Sequence, residues 1–164
     1  MKNFKKQKNY SLNAFFTLLI ISPLANSQVI TTCFDPEGFA YYHDAGIVGK
    51  KDAGWKKDKI SDGRLTLKKL PDNKFDIQIF DANKKLFSLK EDGGEIIFMR
   101  AGDNDATFLH FYPGKAIEIY TFWQDSTGQF KYDLVQSKGG GSTLVHKSSV
   151  LVGSCSKINF DLLR

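Results

Sequence analysis

Residues that commonly carry chemistry are sparse in this chain, which has three histidines and two cysteines. His43, His110 and His146 have neither a ligand-pair spacing nor a His-Glu-x-x-His motif, so the sequence predicts no metal site. Residues 103–105 (DND) resemble the start of a calcium loop, but a strand pattern follows where such a loop needs glycine and glutamate. We expect a hairpin turn there, stabilised by Asx side chains.

No motif for nucleophilic catalysis or phosphate binding is present. Residues 152–156 (VGSCS) lack the second glycine of the Gly-x-Ser-x-Gly elbow. The glycine tract 139–141 leads into a strand and not into a helix, so it predicts a hairpin loop. We therefore predict no catalytic residue and no cofactor. One enzymatic alternative stays open, a hydrolase with a site gathered from several strands, whose candidates are His43, Asp44, His110, Glu118 and His146. Within a predicted strand, alternation places an acid such as Glu118 toward water.

The cysteines predict one disulfide. Cys33 and Cys155 lie near the two ends of the predicted domain, 122 positions apart. An even pair in a short exported chain is typical of a disulfide, and no Cys-x-x-Cys motif is present. The chain-entropy model gives a closed loop of this length a stabilisation of about 4–5 kcal/mol.

The N-terminal residues have the three parts of a cleavable export signal. Four lysines without an acid precede an uncharged apolar run at 14–21, and small residues follow at Ala25 and Ser27. We predict cleavage after residue 27, which makes 1–27 a signal peptide and 28–164 a single exported domain. The apolar run is less than half of the roughly 20 residues that a bilayer span needs, so we expect no stable span after cleavage. The predicted location is periplasmic or secreted.

Removal of the signal changes the charge of the protein. The chain carries 23 Lys and Arg against 18 acids, a net of +5, and the loss of four signal lysines leaves +1. A nucleic-acid partner usually requires a basic stripe, so we expect none. The one local excess lies within residues 50–59, where five lysines are interrupted by Asp52 and Asp58. We expect this segment, around Trp55, to be a solvated loop.

The rest of the sequence predicts an all-β fold. Short apolar runs alternate with turn residues every 8 to 12 positions, the spacing of an antiparallel meander that forms a small barrel or sandwich. We lean to the barrel, with eight to nine strands and its ends joined by the disulfide. A short strand is expected at 39–42, and 158–163 is a candidate closing strand. The eight main strands are predicted at 64–70, 75–80, 86–89, 95–99, 107–112, 116–123, 130–135 and 144–152.

Several of these strands are apolar on both faces. Residues 75–80 place Phe75, Ile77 and Ile79 on one face, whereas 95–99, 107–112 and 116–123 have no polar face. Something must cover the second side, and we expect the segment 34–62 to do so.

The sequence favours a non-enzymatic exported module that binds a partner, in the manner of an inhibitor, in the bacterial-type envelope or secreted space. Aromatic residues make up 13% of the chain, and such rings are good anchors for a partner, here another envelope or secreted protein. A barrel that binds a small apolar ligand is the first alternative. Partner identity and oligomeric state are left open. The candidate binding residues are Trp55, Tyr112, Tyr120, Phe122 and Trp123.

Overall fold

The computed structural model describes residues 26–80 and 84–164, so almost all of the predicted signal lies outside the described residues. The described residues form one antiparallel sheet that is curled into a half-barrel, which confirms the all-β prediction. The ten strands of this part of the chain are β1 Gln28–Gly46, β2 Gly54–Lys59, β3 Arg64–Lys69, β4 Phe75–Phe80, β5 Leu86–Ser88, β6 Glu95–Ala101, β7 Asp105–Tyr112, β8 Ala116–Gln124, β9 Phe130–Lys138 and β10 Val145–Cys155.

The long strand β1 organises the sheet, whose order is β5-β4-β3-β1-β10-β9-β8-β7-β6. One edge of β1 pairs with β3 along residues 28–34 and with β2 along 37–42, while the other edge pairs with β10. The predicted short strand 39–42 is therefore the middle of a longer one. The predicted loop around Trp55 was wrong, because residues 54–59 supply ladder partners for the part of β1 that extends beyond β3.

Alternation along the strands determines which side chains enter the core. In β4, Phe75 and Ile77 are buried and Ile79 packs against the core, as predicted from their spacing. In β8, Tyr120 and Phe122 face the concave side and are buried. The two ends of the sheet approach through the rings of Phe75 and Phe98, whose centroids are 5.2 Å apart. No backbone ladder joins β4 to β6 within the described residues.

The C-terminal segment closes one end of the half-barrel, which we call the closed end. The candidate closing strand at 158–163 does not form, since residues Phe160–Leu163 form a 3-10 helix. Because β10 ends at Cys155, opposite Cys33, the C-terminal segment follows the edge of β1 beyond β10 through single backbone hydrogen bonds before it turns into the core. Ile158 and Leu163 are buried in the core, and the backbone N–H of Asn159 donates to the carbonyl of Ile30 at 3.0 Å.

The predicted disulfide is present between Cys33 and Cys155. The two residues are direct partners in the β1–β10 ladder, with Cα atoms 3.9 Å apart. The bond joins the first and last strands of the chain, β1 and β10, which are neighbours in the sheet. It indicates an oxidising environment. In the described ranges, no helix is long and apolar enough to cross a membrane.

The convex side of the sheet is not covered by any described segment. The expectation that residues 34–62 cover it was wrong, because that segment supplies β1 and β2 of the same sheet. One apolar row crosses six strands in register on this side, and most of its side chains are more than a third exposed. The members of this convex row are Ile97, Leu109, Ile119, Val135, Val150 and Phe39.

Candidate functional site

A cavity of about 350 Å³ occupies the half of the barrel opposite the C-terminal segment. We call that side the open end, and its edge follows Tyr112, Ala116 and Lys138, which are paired in register. The cavity volume lies at the lower end of the range of ligand pockets. Most of the wall is apolar, and its aliphatic and aromatic members include Leu65, Ile79, Phe87, Leu89, Tyr120, Tyr132 and Leu134.

A row of polar side chains crosses the concave face beside this cavity. His110, Glu118, Gln136 and Ser149 are consecutive partners in register on β7, β8, β9 and β10. All four are buried, with exposed fractions of 9% or less. Buried polar groups are costly unless they are hydrogen-bonded, so this row needs internal partners.

The carboxylate of Glu118 is the centre of the row. One oxygen, Oε2, accepts from Nδ1 of His110 at 2.9 Å and from the hydroxyl of Tyr120 at 2.6 Å, and Oε1 accepts from the amide of Gln136. Burial raises the pKa of Glu118, but the bonds from His110 and Tyr120 outweigh it and hold the pKa below its usual range. Burial, together with this carboxylate, raises the pKa of Tyr120 well above its usual range. Glu118 is therefore ionised and Tyr120 is protonated near neutral pH.

The second ring nitrogen of His110, Nε2, is buried and inaccessible. Because Nδ1 faces the carboxylate of Glu118, we assign a proton to Nδ1, which donates it to that carboxylate. Nε2 is buried and has no hydrogen-bond partner in the described part of the chain. It packs directly against Gly94, where any Cβ would overlap it. Glycine at position 94 is thus required by this close approach.

The mouth of the cavity carries positive charge. Lys115 and Lys138 line it, and Asp92 is the acid among its rim residues. Nζ of Lys115 donates to the hydroxyl of Tyr112 at 2.6 Å, a bond that raises the pKa of Lys115. Lys115 is therefore a fixed cation at the entrance.

The structure distributes the five predicted binding residues over four environments. Tyr112 and Tyr120 line the cavity, while Phe122 lies in the core and stacks on Tyr132 with ring centroids 6.0 Å apart. Trp123 is half-buried, and its indole N–H donates to Asp133 at 3.2 Å. Trp55 is 69% exposed on β2 and contacts Tyr41 edge-to-face at 5.6 Å. These five residues do not form one surface.

Of the residues considered for a hydrolase, the structure brings together His110 and Glu118. His43, Asp44 and His146 are not part of the cavity wall. The expectation that Glu118 faces water was wrong. In residues 116–123 it shares a face with Tyr120 and Phe122, and that pattern could have identified it as buried.

Nothing in the described residues points to a metal centre, since they contain no group of three or more His, Cys, Asp or Glu that could hold an ion. Comparison of the chain with family models, with curated proteins and with solved structures finds no match.

Proposed function

We propose that this protein is a non-enzymatic exported binding module that holds one small amphipathic molecule with an anionic head group inside its half-barrel. The cavity carries this proposal, because it combines an apolar interior with a cationic mouth. It develops the sequence-based alternative of a barrel with a small apolar ligand by adding a charged group to that ligand.

The depth of the cavity suits an extended alkyl chain. On β9, wall residues run from Lys138 at the mouth to Tyr132 inside, and at about 3.3 Å per residue this distance is roughly 20 Å. The aliphatic side chains of Leu134, Leu65 and Ile79 offer contacts along this path. A carboxylate or sulfate at the mouth would meet the ammonium groups of Lys115 and Lys138.

A binding function is favoured over hydrolysis because the free ring nitrogen of His110 is inaccessible. A general base must reach the proton that it abstracts, but Nε2 of His110 is shielded by Gly94. Glu118 is saturated by three donors and acts as a structural acceptor. The polar row therefore serves to hold the wall of the site in place.

The proposal is tested by titration of the purified protein with dodecanoate, followed by calorimetry. We expect one saturable site. Ala116→Phe places a ring in the cavity and should weaken binding by about ten-fold or more, since overpacking costs about 1–3 kcal/mol. The matched control is Ile117→Phe, which changes the next residue of β8 on the convex face, where Ile117 is 50% exposed. Absence of saturable binding, or equal loss in both variants, would contradict the proposal.

The anionic head group is tested separately by comparing dodecanoate with dodecanol. Lys138→Gln should weaken binding of the carboxylate several-fold and leave binding of the alcohol unchanged, because only the carboxylate gains from the charge. Lys157→Gln, an exposed lysine near the closed end, is the control. Equal effects on both ligands would mean that Lys138 contributes packing and not charge.

We also propose that the working protein is periplasmic or secreted and begins at Gln28. The experiment is expression of the full chain in an exporting host, with the N-terminus determined by mass spectrometry. Recovery of protein that retains residues 1–27 would contradict this proposal.

A second candidate function is binding of another envelope protein, favoured by the exposed convex row. The test is capture from envelope extract with oxidised protein as bait. A stoichiometric partner that is lost when Phe39 and Val150 are both replaced by serine would support it. A partner retained by that double variant would bind elsewhere.

A further inference from the structure

The three most exposed large apolar side chains of the described residues lie toward the open end. Ile47 is 70%, Trp55 69% and Leu144 68% exposed. The loop tips that carry Ile47 and Leu144 are adjacent, because the N–H of Ile47 donates to the carbonyl of Leu144 at 3.0 Å. Trp55 follows Gly54, which pairs with Tyr42 at the same end of β1. Two adjacent water-exposed apolar side chains, with a third toward the same end of the molecule, mark an interaction site.

Positive charge surrounds this cluster. Segments 44–59, 112–116 and 138–147 together hold eight lysines and three aspartates, whereas the rest of residues 28–164 holds eleven basic and fifteen acidic residues. Lys50, Lys51 and Lys57 are exposed and, in the part of the chain that the structure describes, form no ion pair. The turn between β5 and β6, also at the open end, is acidic. The positively charged side of the open end therefore lies toward β2 and β10.

The basic, apolar surface is continuous with the mouth of the cavity. Lys115 and Thr143 line the cavity, and the N–H of Gly139 donates to the carbonyl of Lys115 at 2.9 Å, which ties the two loops together. Leu144 directly follows Thr143. We define the mouth surface as Ile47, Trp55, Leu144 and the lysines Lys50, Lys51, Lys56, Lys57 and Lys115.

We propose that the mouth surface docks on the surface of an anionic lipid bilayer. Ile47 and Leu144 insert among the acyl chains, the indole of Trp55 lies at the interface, and the lysines contact anionic head groups. Docking in this orientation places the cavity mouth against the lipid, so a charged amphiphile enters from the bilayer without crossing water. This role as a carrier rests on the proposed function, but the docking contacts can be tested without it.

A bilayer fits these observations better than an acidic protein does. Two aliphatic side chains on loop tips would need matching pockets on a protein, whereas acyl chains accept them without a defined shape. The same surface encloses the entrance of an apolar cavity, which a tightly bound protein would block.

The test is co-sedimentation with large vesicles of phosphatidylcholine, with or without phosphatidylglycerol. The full chain is expressed in an exporting host, and every variant is purified with the same N-terminus. We expect binding to anionic vesicles that weakens at high salt and is much weaker with phosphatidylcholine alone. Ile47→Ser with Leu144→Ser should lower the partition coefficient by about ten-fold per side chain. The matched control is Val29→Ser with Met99→Ser, which removes side chains that are 54% and 57% exposed away from the open end.

Each outcome decides the proposal. The proposal is supported if the mouth variant, Ile47→Ser with Leu144→Ser, loses vesicle binding while the control variant retains it. The proposal is overturned if the wild type does not bind anionic vesicles, or if the two double variants bind them equally. It is also overturned if the mouth surface binds an acidic protein partner but does not bind vesicles. Dodecanoate titration of the mouth variant without vesicles distinguishes the two proposals. If the cavity still binds dodecanoate while docking fails, only the docking proposal is lost.

Discussion

The closed and open halves of the half-barrel are built from the same strands but are filled differently. In the closed half, the ring of Phe122 lies between two others. Its centroid is 5.9 Å from that of Phe108 and 6.0 Å from that of Tyr132. The C-terminal segment completes this core. In the open half, the same faces of β7, β8 and β9 present His110, Glu118 and Gln136 beside a cavity.

The difference follows the order of residues along single strands. On β8, the concave positions are Glu118, Tyr120 and Phe122, a progression from charged to aromatic toward the closed end. The packed core and the cavity are therefore separated along the barrel axis. The closed half has the packed rings and the covalent bond, while the open half keeps buried polar groups and space. Such a division lets the half that contains the cavity depart from optimal packing.

Loss of the disulfide should produce the largest effect. Replacement of Cys33 and Cys155 by serine is expected to lower the free energy of unfolding by about 4–5 kcal/mol, because the open chain regains entropy across a loop of this length. Urea denaturation of both forms measures the difference. A change below about 1 kcal/mol would show that the ladder alone holds β1 and β10 together.

Truncation of a closed-half ring comes next. Phe108→Ala is expected to cost about 3–5 kcal/mol, since Phe108 is fully buried and contacts Phe75, Phe98 and Phe122. The control is Phe111→Ala on the convex face, where the side chain is 40% exposed and the cost should be under about 1 kcal/mol. Similar losses would mean that the convex side is covered in solution.

Disruption of the polar row in the open half should lower the free energy of unfolding by less than truncation of Phe108 does. Glu118→Ala leaves the donors of His110, Tyr120 and Gln136 without their acceptor, at an expected cost of about 3 kcal/mol. Glu95→Ala, on the exposed edge strand β6, should change stability by less than about 0.5 kcal/mol. A neutral effect of Glu118→Ala would break the comparison, because the row would then hold nothing in place.

The smallest effect is the response of this row to acid. The pKa of Glu118 in the folded protein lies below its ordinary value of 4.5, so its carboxylate stabilises the fold above that pH. The contribution is lost as the pH falls below 4.5 and through the lower folded pKa. The difference in unfolding free energy between wild type and Glu118→Gln should be constant near neutral pH and shrink in acid. A difference that grows on acidification would reverse the assigned sign.

Local patterns predicted most of the sheet. The strands from β3 to β10 and the Cys33–Cys155 pair follow from alternation, turn residues and cysteine number, which are properties of short segments or of composition. The strand at β2 and the C-terminal helix were missed because their conformations depend on their contacts with β1 and with the core. That is a non-local fact, which no window around Trp55 or Phe160 contains.

The candidate site was less accessible to sequence reasoning. The face that Glu118 shares with Tyr120 and Phe122 indicates burial, whereas the general preference of acids for water predicts the opposite. The cavity itself depends on the curl of the sheet and on how far the C-terminal segment fills it. Neither quantity is encoded in a motif, so the site emerges only after the strands are assembled.

The pairing of β1 with β10 also sets the order in which the molecule can form. The strands β3 to β5 follow one another as hairpins, as do β6 to β10, and these pairings need only local contacts. In contrast, residues such as Phe39 must find Val150, more than a hundred positions later. Contacts of this sequence separation slow folding, because the loop must close before they form. For a chain that emerges from its N-terminus, the first strand must wait for the last, and the half-barrel is completed only when β10 arrives.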